Sequence, residues 1–250
     1  MTRRNSITMV LGWLPLAWAL LAGPLHSELL PALDQRERLA WQAVGWVNAT
    51  GIHGHASCSG TLIAPDLVVT AAHCAGGTNK FKGRRHFVAG WDKGGFIATS
   101  RSAEIFVHPE YERTKGNHKF KYDVAVIQLE SPVPGSAVTP LRIADNAALR
   151  LGELAVLGYH RKSPNVLNGR FDCMTLSSGN EPVVILDCEV INGNSGGPVL
   201  ARVTNEWVLV AVVAGRVGGE TPLALAVPVD EWLLRHWRAA LVRAEQRRPG

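Results

Sequence analysis

Apolar residues recur along this chain in short runs divided by glycine, proline, asparagine and aspartate, a rhythm that suits strands better than long helices. The segments Trp41 to Val47, Ala56 to Leu62, Leu67 to Thr70, His86 to Trp91, Ser102 to Val107 and Val124 to Ile127 each read as a strand. The non-helical stretch from Ser131 to Pro140 then interrupts the pattern, and strand-like runs resume at Glu153 to Leu157, Trp207 to Ala214 and Leu223 to Pro228. Asn168-Gly169 is a hairpin-turn signal. Only the end of the chain changes period. Asp230 can cap a helix in which Trp232, Leu233, His236, Trp237, Ala240 and Leu241 form one apolar stripe, and that stripe is expected to pack on the second half of the molecule. The boundaries drawn from this are a first unit at 41–134, a second at 135–228 and a terminal helix at 229–245.

The N-terminal end has a different pattern. Thr2-Arg3-Arg4 supplies a positive start, Ile7 to Ala22 an apolar run, and Gly23 and Ser27 small residues near its end, so residues 1–27 read as a secretory signal peptide. A retained membrane anchor is the alternative, since the run barely reaches a spanning length. No later run is long enough to span. Residues 28–40 read as either a propeptide or an arm lying on the surface. With 250 residues the chain can bury a real core without a metal or cofactor. The net charge of +5 has no concentrated source, and the basic run Lys80 to Arg85 lacks the aromatic platforms of a nucleic-acid site, so no nucleic-acid partner is expected. Asn48-Ala49-Thr50 is formally a glycosylation acceptor.

Chemistry enters with Gly193-Asn194-Ser195-Gly196-Gly197-Pro198-Val199. A serine between glycines can sit on a tight turn whose backbone N–H groups converge beside its hydroxyl, placing a nucleophile next to an anion-stabilising pocket. Such a serine needs a histidine as base and a carboxylate to hold the imidazole tautomer. Both are available, in Thr70-Ala71-Ala72-His73-Cys74 and in Tyr122-Asp123-Val124-Ala125-Val126-Ile127. In the order His, Asp, Ser, these segments resemble the trypsin-like (chymotrypsin-fold) serine peptidases over roughly residues 41–235.

That resemblance implies an all-β fold of two six-stranded antiparallel β-barrels packed together with a C-terminal α-helix. It also implies a catalytic triad of His73, Asp123 and Ser195, an oxyanion hole from the N–H groups of Gly193 and Ser195, and a substrate pocket built around Glu189, Ala214, Gly215 and Arg216. Glu189 at the pocket base would favour Lys or Arg before the cleaved bond; Arg216 projecting inward would favour an acidic residue; small or apolar residues are the third option. Peptide or protein is the implied substrate, no cofactor is needed, and a monomer acting outside the cytoplasm, secreted or periplasmic, is expected. Neutral Asn194 departs from the aspartate of the animal enzymes and cannot supply the charged half of their activation switch, so the pattern looks closer to bacterial secreted, V8-like members. Ala214 replaces the usual serine of that wall.

Four cysteines permit three pairings, and the expected one joins Cys58 to Cys74 and Cys173 to Cys188. The first pair would fix the strand pair leading into His73, and the second would bracket a hairpin centred near Asn180-Glu181. No metal is expected, because the short Cys-x-x-Cys spacing is absent. His53, His55, His108 and His160 read as loop or structural residues. Two other classes compete: a noncatalytic binding protein on the protease fold, and an α/β esterase, whose histidine would follow its serine in the chain.

Overall fold

Strands β1 (Val44–Asn48), β2 (Cys58–Ala64), β3 (Leu67–Thr70), β4 (His86–Ala89), β5 (Ala98–Val107) and β6 (Ala125–Leu129) close a barrel in the order β1-β2-β3-β6-β5-β4. The computed structural model describes residues 29–54, 58–76, 83–150, 152–176 and 182–247. The expected signal peptide, His55, the start of the basic run, the hairpin centre near Asn180 and residues 248–250 lie outside these residues. Closure follows from β1 pairing on both sides: Val44 to Val47 with β2, and Gly45 to Asn48 with β4. β1, β2 and β3 are buried along their whole length, polar Asn48, Ser59 and Thr61 included, which explains why no regular alternation of apolar and polar residues marks them.

The second barrel is built from β7 (Leu154–His160), β8 (Ser163–Cys173), β9 (Val184–Glu189), β10 (Pro198–Val203), β11 (Glu206–Val217) and β12 (Leu223–Pro228), ordered β8-β7-β10-β11-β12-β9. Its two outer strands meet along a seam just beyond the end of β8. There the Leu176 N–H donates to Ile185 O at 2.8 Å, the Asp187 N–H donates to Met174 O at 3.0 Å, and the Cys173–Cys188 disulfide crosses alongside.

Asn168-Gly169 does not make a turn. Both residues lie inside β8, and the chain reverses at Arg161-Lys162 instead. The buried Asn168 amide donates to Ser163 O and Val166 O, so it is consumed within the strand. Beside it runs the segment 29–33, where Gly169 N–H donates to Pro31 O at 2.9 Å and Leu33 N–H donates to Leu167 O at 3.0 Å. Leu29 pairs with Glu189 of β9, and Leu30 is buried. The segment thus reaches both sides of the seam. It continues into α1 (Gln35–Ala40), whose start is fixed by a reciprocal pair of bonds between Asp34 and Glu37.

An aromatic joint holds the barrels together. Trp46 of β1 packs at a tilt against Trp91 with ring centroids 4.0 Å apart and meets Tyr159 of β7 edge-on at 6.0 Å, while the Tyr159 hydroxyl donates to Trp91 O at 2.8 Å. Two short helices, α2 (Ala72–Ala75) and α3 (Pro109–Arg113), belong to the first barrel, and α4 (Glu231–Gln246) ends the chain. The stripe on α4 docks mainly on the first barrel, not on the second as its position in the chain suggests. Trp237 Nε1 donates to Ile63 O at 2.9 Å, and Arg243 and Arg247 both reach the buried carboxylate of Asp66 in the β2–β3 turn. A buried carboxylate needs partners, and these two cations draw the helix across the joint.

Candidate active site

Strand register brings the first two residues of the site together. Thr70 at the end of β3 pairs with Ala125 at the start of β6, so the residues just after β3 and just before β6 share one end of the ladder. His73 lies in α2 after β3; Asp123 ends the 3-10 turn Gly116–Tyr122 that feeds β6. The Asp123 carboxylate is almost fully enclosed, and it accepts from the His73 backbone N–H at 2.9 Å through one oxygen. Its other oxygen lies 2.7 Å from His73 Nδ1. A carboxylate can only accept, so Nδ1 carries the proton and Nε2 is left as the basic nitrogen. Nε2 sits 3.4 Å from Cys74 Sγ, part of the Cys58–Cys74 disulfide, and no hydrogen bond joins it to the Ser195 hydroxyl among the described residues. Such bonds are often long before substrate arrives.

Ser195 sits in the loop between β9 and β10, and the loop is held from both barrels. Ser59 of β2 donates its N–H to Ser195 O at 2.8 Å and its hydroxyl to Gly193 O at 2.9 Å, while that hydroxyl accepts from the Tyr159 N–H. Asn194 is fully buried. Its Oδ1 accepts from the Ile191 N–H at 2.9 Å, and its Nδ2 donates to Tyr159 O at 3.3 Å. An aspartate could make only the first of these and would leave a buried charge, so the amide suits this loop without any charged partner. Gly193 has φ of 109°, and a Cβ there would lie 2.8 Å from His160 Cα and from Tyr159 O. Gly196 at φ 83° is equally confined, since a side chain would overlap Ser59 O and Thr70 Oγ1. Only glycine fits either place.

His73, Asp123 and Ser195 all line one cavity of about 470 Å³, together with Ala214, Gly215 and Arg216. On the other side of Ser195 a second cavity of about 580 Å³ is bordered by His73, Gly193, Asn192 and Arg85. Ala214, Gly215 and Arg216 are therefore gathered beside the serine. Glu189 is not among the residues lining either cavity, nor the smaller pocket next to Ser195. Along β9 the buried positions are Val184, Leu186 and Cys188; Glu189 falls on the alternate face, its backbone between Leu223 and Leu29.

Two of the other histidines, His108 and His160, have structural partners. His108 Nδ1 accepts from the Glu110 N–H at the start of α3, and Nε2 lies 3.1 Å from Asp230 Oδ2. His160 is buried, accepting from the Ser163 N–H and donating to Leu30 O. Burial pushes its imidazole below the ordinary range, which keeps it neutral in that role. Burial, with the charges of Asp123 and Glu112 adding to it, raises the Tyr111 phenol in this cavity to about 12, so it too stays neutral. Asn48 is buried with its amide bonded to Gly51 O, which leaves no room for a glycan. The Cys58, His73 and Cys74 ligand atoms lie within 4.8 Å of one another, yet both thiols are spent in the disulfide. Sequence reasoning overlooked Ser59. Its signal was there: a polar residue inside a fully buried strand must have its hydrogen bonds satisfied by something nearby.

Comparison with known proteins agrees with this architecture. Residues 34–235 match the sequence model of the family described as Trypsin. A trypsin of Saccharopolyspora erythraea is 39% identical over 118 residues, covering 44% of this chain and 47% of that protein. The mouse vitamin K-dependent protein C is 26% identical over 197 residues, covering 63% of this chain and 40% of that protein. The chain thus spans less than half the length of these curated relatives. With two antiparallel six-stranded barrels, a terminal helix and a family match across both barrels, the chain belongs to the trypsin family of trypsin-like serine peptidases.

Proposed function

We propose that this chain is a serine endopeptidase in which His73, Asp123 and Ser195 act as the triad. The observation that carries the reading is the pairing of His73 Nδ1 with enclosed Asp123, which leaves Nε2 basic in a cavity shared with Ser195. His73 takes the proton from the Ser195 hydroxyl as its oxygen attacks the peptide carbonyl. Asp123 holds the ring and stabilises its charge, and the N–H groups of Gly193 and Ser195 face the developing oxyanion. The protonated ring then gives its proton to the leaving amine as the C–N bond breaks, and water releases the acyl group by the same steps in reverse order of roles.

The preference for Lys or Arg rested on Glu189 at the base of the pocket, and the position of Glu189 off that lining gives it no support. Two disulfides suit export to an oxidising compartment, and no described helix is long and apolar enough to cross a membrane. The test is labelling by a serine-directed fluorophosphonate together with cleavage of a diverse peptide mixture. Stoichiometric labelling and cleavage, both lost in Ser195→Ala, are expected. Labelling of the variant at the same rate would defeat the assignment, and an unlabelled, inactive parent would point to a noncatalytic binding protein.

A further inference from the structure

A small pocket borders Ser195 between the 190–192 segment and β11. It has a volume of about 70 Å³ and is walled by Val190, Ile191, Val213 and Gly215, with Asn192 and Arg216 completing the lining. Val190 and Val213 are almost wholly buried, so their side chains belong to the packed wall rather than to a surface that yields. An enclosed apolar cavity of roughly 150 Å³ holds a benzene ring, about twice the volume available here. An aromatic side chain, or the full stem of a lysine or arginine, does not fit without moving the wall.

Charge argues the same way. The interior holds no acidic residue, because Glu189 lies on the alternate face of β9. Arg216 lines the pocket but is an exposed residue, and it also borders the adjoining cavity of about 470 Å³. A substrate carboxylate that reached its guanidinium would sit outside the apolar walls, in water, where an ion pair contributes little. A carboxylate pushed inside would be stripped of water against valine and isoleucine.

From this geometry we infer that the residue supplying the cleaved carbonyl has a small apolar side chain, between alanine and valine in size. The inference rests on the peptidase reading above and names the substrate class of that same site. Ile191 is the residue that sets the upper limit, since it is half-buried on the wall and can be shortened without emptying the barrel core.

The test uses the full chain with peptidyl phosphonates that share one peptide and end in the analogue of Ala, Val, Phe, Lys or Glu. Labelled protein is counted by intact mass, with a non-peptidic fluorophosphonate as reference, and kcat/KM is measured on the matching p-nitroanilides. The Ala and Val compounds are expected to react about tenfold or more faster than the other three, the scale on which apolar pockets discriminate. Ile191→Ala should move the ratio toward Phe by about tenfold; the smaller cut Ile191→Val should move it in the same direction if the first variant does not fold. Fastest reaction with Lys, lost in Glu189→Gln, overturns the inference, as does fastest reaction with Glu, lost in Arg216→Ala, or a flat profile. In each of those cases the fluorophosphonate still labels Ser195 and the peptidase reading stands. Absence of any fluorophosphonate labelling overturns both.

Discussion

The two barrels have the same number of strands and close in different ways. In the first, β1 and β4 pair over four successive residues, so the ring is completed by backbone hydrogen bonds alone. In the second, β8 and β9 are joined by a short ladder at residues 174–176, the Cys173–Cys188 disulfide, and the arm 29–33 that touches Gly169 on one side and Glu189 on the other. A continuous ladder gains its strength from cooperativity within the ring; a seam made of separate parts can be opened one part at a time. The difference also places the continuously paired barrel under His73 and Asp123, while Ser195 belongs to the half whose closure depends on a covalent bond and on the arm 29–33.

Removing each disulfide sharpens this contrast most. The two close loops with separations of 16 and 15 residues, so constraint of the unfolded chain is worth about 3 kcal/mol for either. Any further difference comes from the folded state. Replacing Cys173 and Cys188 by serine should cost that amount and speed amide exchange at Leu176 and Asp187, the two seam N–H groups. Replacing Cys58 and Cys74 should cost a similar amount in denaturant melts yet leave the β1–β4 amides protected. Equal exchange in both variants would break the comparison. Leu30→Ala comes next, with a loss of about 2 kcal/mol, because it removes the buried anchor of the arm at the edge of the barrel. Its signature is faster exchange at Gly169 and Leu33, without any change in the first barrel.

Asp66→Asn tests the tie between α4 and the first barrel. The carboxylate is buried while its partners Arg243 and Arg247 are part exposed, so a cost of about 1–2 kcal/mol is expected, read as a shift in thermal midpoint. The smallest effect belongs to Asp230, which caps α4 and faces His108. Burial raises its pKa, but the hydrogen bonds from the His108 ring and the Leu233 N–H, with the nearby positive charges, outweigh this and leave it lowered. A lowered carboxyl pKa adds stability that is present above the ordinary value and is lost as pH falls through the folded one. Asp230 is well exposed, so screening limits this to a few tenths of a kcal/mol. The parent should therefore exceed Asp230→Asn near neutrality and converge with it in acid, below about pH 4. Asparagine caps a helix about as well as aspartate, so curves that stay apart in acid would show that the geometry of the His108 contact, not the charge, is what matters.

Much of this molecule is legible in its amino-acid order. Short apolar runs, the proline-rich crossing and the stripe after Asp230 sufficed for two strand-rich units and a helix. The segments around His73, Asp123 and Ser195 are recognisable because each is local: each residue sits near a strand end or in a glycine turn whose neighbours must be particular residues. Asn168-Gly169 misled for a related reason. The pair has the residues of a turn, but in the fold the asparagine amide bonds within β8 and the glycine makes room for Leu157 and Leu33. What the amino-acid order determined by itself, then, was period and local conformation, since both depend on neighbours within a few residues. Which face Glu189 presents, how Ser59 reaches Gly193 across 134 positions, where α4 docks and how the second barrel is sealed were decided only in three dimensions. Each of these depends on a partner far along the chain, and a residue carries no local mark of the partner that will satisfy it.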